Sequence, residues 1–83
     1  MSNKKAKSYF KEIINLCYEE DFPELHQELF SLENVTKKNS NPYKYEDAIE
    51  EVFNIIPLFA EDFPDDTMEE IKKLFEEFLL YEE

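Results

Sequence analysis

The chain has no glycine and no tryptophan, one cysteine and one histidine. Without glycine there is no cheap route to positive φ, so two-residue hairpin turns of the Asn-Gly kind are missing and a β-rich fold is disfavoured. Cys17 alone cannot form an internal disulfide. An oxidising compartment is therefore not required, and a reduced cytoplasm is the expected location. A lone His26 lacks the partners that acid–base catalysis uses, and one His with one Cys does not build a structural zinc site. No apolar run approaches membrane-spanning length. Lys11 and Glu12 interrupt the stretch that would have to be the apolar centre of a signal peptide. Cations are scarce as well: nine lysines face 21 acids, for a formal charge of −12.

What is present is apolar and aromatic. In 83 residues, 42% are hydrophobic, with eight Phe and five Tyr. A chain of this length is expected to form one domain, residues 1–83, whose small core leaves a thin stability margin. Every helix must then contribute apolar surface.

One tetrapeptide occurs twice, as Glu20-Asp21-Phe22-Pro23 and, 41 positions on, as Glu61-Asp62-Phe63-Pro64. Aspartate can cap a helix N-terminus, and proline fits the first helical turn, where its missing N–H needs no partner. Each copy predicts a helix–corner–helix junction, and the chain reads as two helical hairpins: an all-α, compact bundle of four main helices. The first should run from Lys4 or Ser8 to Glu20, with Tyr9, Phe10, Ile13, Ile14 and Cys17 on one face. The second should start at Asp21, with Glu24 completing a capping box, and carry Phe22, Leu25, Leu29, Leu32 and Val35 inward before fading near Asn34 to Lys38. The third begins between Tyr43 and Glu46. Its apolar face from Tyr45 to Ala60 is the broadest, which predicts the central helix, kinked or broken near Pro57. The fourth turns Met68, Ile71, Leu74, Phe75, Phe78 and Leu79 inward. A loop over residues 36–44, rich in Asn and Ser and closed by Pro42, joins the hairpins. A duplicated hairpin and a mere recurrence of a good corner sequence both remain open at this point.

The charge is lopsided. Residues 1–44 hold seven lysines and seven acids, whereas residues 45–83 hold two lysines and fourteen acids. Glu46–Glu50 and Asp47–Glu51 are like-charge pairs at i,i+4, each costing a helix some tenths of a kcal/mol. A sequence shaped only by folding would mix lysine into such a stretch. Solubility of an apolar small protein is one account of the excess. A surface shaped for a basic partner is the other, with acids steering association and aromatic residues as anchors. The candidate partner-binding set is Tyr43, Tyr45, Glu46, Asp47, Glu50, Glu51, Asp62, Asp65, Asp66, Glu69 and Glu70. Asp65, Asp66, Glu69 and Glu70 also put carboxylates at i,i+4, but the glycine-bearing, oxygen-rich loop of a calcium hand is missing. No metal, cofactor or catalytic role is expected. The sign of the charge argues against nucleic acid and anionic membranes as partners.

Tyr45-Glu46-Asp47-Ala48-Ile49-Glu50-Glu51-Val52, Pro57-Leu58-Phe59-Ala60-Glu61 and Met68-Glu69-Glu70-Ile71-Lys72-Lys73-Leu74-Phe75 resemble the last two helices of immunity proteins of the colicin D and Maf-toxin kind. The likeness covers roughly residues 45–80, and Lys44 stands where the Maf group often has glycine. It implies tight, stoichiometric binding to a basic nuclease-type toxin domain, with carboxylates blocking its active site. The alternative is a phage-encoded acidic inhibitor that mimics nucleic acid, of the anti-CRISPR or anti-restriction type.

Overall fold

Apolar residues at three- and four-residue spacing give each helix one buried stripe. The structure, a computed structural model, describes residues 3–38 and 45–81. These form four helices, α1 (Asn3–Tyr18), α2 (Pro23–Lys38), α3 (Tyr45–Phe59) and α4 (Asp65–Tyr81), with no strand among the described residues. The protein is an all-α bundle. Phe10, Ile13, Ile14 and Cys17 of α1, Leu25 and Leu29 of α2, Ala48, Ile49, Val52 and Ile56 of α3, and Ile71 and Phe78 of α4 meet in one core. The radius of gyration, 12.2 Å, matches the roughly 12 Å of a well-packed chain this long.

Both corners are built without a left-handed residue: no described residue has positive φ. Each Phe is instead held out of the helical region by the proline that follows it. The first helical bonds of α2 and α4 run from His26 N–H to the Phe22 carbonyl (2.9 Å) and from Met68 N–H to the Pro64 carbonyl (3.0 Å). The expected caps at Asp21 and Asp62 thus lie one and two residues too early. His26 ties α2 back to the corner, its Nε2 donating to the Glu20 carbonyl at 2.6 Å while its ring meets Tyr18 edge-on.

The two corners touch. The rings of Phe22 and Phe63 lie 5.8 Å apart, and the Thr67 hydroxyl donates to Glu20 Oε2 at 2.8 Å. Both hairpins therefore turn at the same pole. α1 runs parallel to α3 and antiparallel to α2 and α4, and the Tyr9–Phe78 ring pair at 5.9 Å continues the α1–α4 register away from the corners.

Several expectations need correction. α1, not α3, is the central helix: it packs against all three others, whereas α3 and α4 meet chiefly through the Phe53–Phe75 ring pair at 5.2 Å. α3 is not broken at Pro57. It runs through that residue and stops at Phe59, closed by the Ala60 N–H on the Ile56 carbonyl. Pro57 is exposed and sits in the last turn; it withholds a donor from the Phe53 carbonyl, and the helix ends two residues later. The loop cannot begin at Thr36, because α2 continues to Lys38. Thr36 is buried, and its hydroxyl donates to the Leu32 carbonyl at 2.8 Å. It closes the stripe of Leu25, Leu29 and Leu32 at helical spacing, and Val35 turns outward, 55% exposed. Residues 39–44, Tyr43 included, lie outside the described residues. The 41-residue repeat does not extend to packing: Cys17 is fully buried and its counterpart Leu58 is 75% exposed.

Candidate functional site

Once Ala48, Ile49 and Val52 face the core, helical geometry leaves positions 47, 50, 51 and 54 outside. Asp47, Glu50, Glu51 and Asn54 are accordingly exposed, and Glu46 is half-buried. On α4 the same logic exposes Asp65, Asp66, Glu69 and Glu70, with Asp62 exposed in the corner before them. Asp65 and Asp66 stand in the first turn, where the helix dipole favours them. Tyr45 is half-buried, with its ring 5.4 Å from Phe10.

These residues do not form one cluster. Asp62, Asp65, Asp66, Glu69 and Glu70 gather toward the corner pole. Glu46, Asp47, Glu50 and Glu51 lie along α3 toward the opposite pole, Glu50 standing about 15 Å along the helix axis from Ala60. Glu50 shares a shallow groove between α3 and α4 with Lys72 and Glu76.

The corner pole draws its charge from both halves of the chain. Because both corners turn there, Glu19, Asp21 and Glu24 of the first hairpin stand with Glu61, Asp62, Asp65 and Asp66 of the second, all exposed. The sequence has no lysine between Glu12 and Thr36 or between Tyr45 and Ile71, so the corner segments themselves carry none, and Lys73 borders Glu19 and Glu70 on the flank. Lys7, Lys11, Lys37 and Lys38 lie toward the other end of the bundle. The first-hairpin acids escape a reading by halves, because residues 1–44 are neutral in total. Only the meeting of the corners sorts their carboxylates from their lysines. The signal available in the sequence was the position of the acids around the repeated tetrapeptide, not their number.

A second acidic strip runs between α1 and α4. Glu12 and Glu19, seven residues apart, face Glu70 and Glu77, also seven apart, over half-buried Leu16 and Leu74, with Lys73 as the one cation lining the groove. Tyr9 donates its hydroxyl to Glu77 Oε1 at 3.4 Å. Carboxylates crowded in this way repel one another and weaken the compact state. Raising NaCl from about 10 mM to 0.5 M screens that repulsion and should raise the melting temperature by roughly 4–8 °C, the equivalent of about 1 kcal/mol in a domain this small. A melting temperature that stays flat or falls would show that the acids are too dispersed to matter.

Cys17 and His26 are absorbed by the fold. Cys17 is fully buried, and burial, with the nearby Glu20 carboxylate second, pushes its thiol up to about 12. Burial also pushes the Tyr18 phenol upward, helped by its hydrogen bond to Glu33 Oε1 at 3.0 Å. Among the described residues no group of three or more His, Cys, Asp or Glu is placed to hold a metal ion, and no helix is long and apolar enough to cross a membrane. No family model, curated protein or solved structure matches the chain.

Proposed function

We propose that the chain is an immunity-type protein that neutralises a cognate basic, nuclease-type bacterial toxin domain in the cytoplasm by stoichiometric occlusion of its active site. The observation that carries this reading is the acid-rich pole formed where the two corners meet, both of whose corner segments carry no lysine. A nuclease holds its substrate's phosphates with Lys and Arg. A rigid pole of carboxylates presents those cations with the same charge, while repelling nucleic acid itself. The exposed acids of α3, Asp47, Glu50 and Glu51, extend the field along one flank and serve as a steering rim. The bundle is 34 Å long, and a standard interface of about 800 Å² per partner reaches across most of such a face.

The test starts with the partner. Crosslinking of the tagged chain in its own cells, followed by mass spectrometry, names it, and titration of the partner's nuclease activity gives the stoichiometry. One-to-one inhibition of a toxin encoded beside the chain is the expected result. Inhibition of a defence nuclease would instead favour the phage-inhibitor reading, and a partner without a basic surface would overturn both. With the partner in hand, Asp65→Lys combined with Asp66→Lys should slow association about tenfold at low salt and flatten its salt dependence. Glu50→Lys with Glu51→Lys should have a smaller effect of the same sign. If the double reversal at the pole leaves both quantities unchanged, its acids are bystanders.

A further inference from the structure

The Tyr18–Glu33 hydrogen bond ties the end of α1 to the second half of α2, and a cleft of about 160 Å³ lies between the helices beside it. Phe10, Ile14 and Tyr45 give the cleft apolar walls, and Lys7 and Lys11 of α1 face Lys37 of α2 across it. In a chain of charge −12 this is an unusual place. Three lysines line it against one acid, Glu33, which is already engaged by Tyr18. The grooves between α1 and α4 and between α3 and α4 have the opposite balance. Lys7 and Lys11 are a like-charge i,i+4 pair, and Lys37 comes up from the second helix, so the cleft concentrates positive charge that an anion would offset.

We propose that this cleft binds a small organic anion: a carboxylate or phosphate head held by Lys7, Lys11 and Lys37, on a body of one ring or a short apolar chain lying against Phe10, Ile14 and Tyr45. The volume sets the size, since an apolar cavity of roughly 150 Å³ takes one benzene ring. The inference goes beyond the toxin-binding reading and does not depend on it. The cleft lies away from the acidic pole, so either can fail alone.

The experiment is a two-dimensional amide NMR titration of the full ¹⁵N-labelled chain. Benzoate and phenyl phosphate are the probes, with benzyl alcohol as the neutral control and inorganic phosphate as the head group alone. Expected is saturable movement of amides in residues 7–18, 33–37 and 45–48 with about millimolar affinity, fitting a ligand of some ten heavy atoms. The stronger of the two probes identifies the preferred head. Lys11→Gln combined with Lys37→Gln, both at exposed positions, should weaken binding about tenfold or more while the rest of the spectrum stays native. The proposal is overturned if neither probe binds, if benzyl alcohol or inorganic phosphate binds as well as the probes, or if the double variant binds equally. It also falls if cleft amides move on dilution of the protein alone, because carboxylates of a second copy would then fill the cleft.

Discussion

Phe78→Ala should unfold the protein or bring it close to unfolding. Phe78 is 1% exposed and, with Ile71, is one of two fully buried side chains by which α4 is held to α1. Its ring sits 5.9 Å from Tyr9 and 6.4 Å from Phe75, so truncation also removes the partner of two aromatic contacts. Core Phe→Ala substitutions cost about 3–5 kcal/mol. A chain of this size has roughly 4–12 kcal/mol in total. Urea melts followed by far-UV circular dichroism should show the transition moved to low denaturant or lost. Leu80→Ala is the control: Leu80 is 74% exposed, and its loss should stay within about 0.5 kcal/mol. A Phe78→Ala protein that melts within about 1 kcal/mol of wild type would mean that α4 is not anchored as described.

Cys17 should be nearly inert in the native state and should make the fold sensitive to alkali. Its thiol ionises near 9.0 in an unstructured chain and at about 12 in the fold. The reactive species is the thiolate, so iodoacetamide at pH 8 should alkylate the native protein about a thousandfold more slowly than the urea-unfolded protein. The sign of the linkage follows from the same shift. The native state keeps the proton that the unfolded chain loses, so this contribution is fully present below pH 9 and is lost as pH rises from 9 toward 12. The slope reaches about 1.4 kcal/mol per pH unit for one group. Tyr18 is shifted in the same direction and adds to the loss, to a lesser degree because it is only half-buried. Urea melts at pH 7, 9 and 10.5 should show the midpoint falling between the last two. Equal alkylation rates in native and unfolded protein would show Cys17 to be accessible, contrary to its place in the core.

The helices were legible in the sequence because three- and four-residue spacing is a property of one helix at a time. Phe10, Ile13, Ile14 and Cys17 face inward as that spacing requires, and Asp-Phe-Pro marks both corners. What spacing cannot express is how helices choose partners. The broad face of α3 suggested a central position, yet it is filled by α1 and α2, and α3 meets α4 chiefly through Phe53 on Phe75. Thr36 was assigned to a loop by its polar neighbours, but its position relative to Leu29 and Leu32 decided the matter once its hydroxyl found the Leu32 carbonyl. Ile55 sits at the edge of the α3 stripe and is covered only by packing. The acids of α3 and α4 could be placed on outward faces from the sequence. Their company could not, because Asp21 and Asp62 become neighbours only through the ring contact of Phe22 with Phe63.

That contact also divides the molecule mechanically. Phe22 on Phe63 and Thr67 on Glu20 fasten the two hairpins together at one end, as a rivet joins the blades of a pair of shears. The start of α1, the end of α2, the start of α3 and the end of α4 all lie at the other end, where Tyr9 on Phe78 and Phe10 on Tyr45 are the ring contacts between helices. Fraying that begins there has to travel the length of the helices before it reaches the fastening, so the end that presents the carboxylates keeps its shape longest.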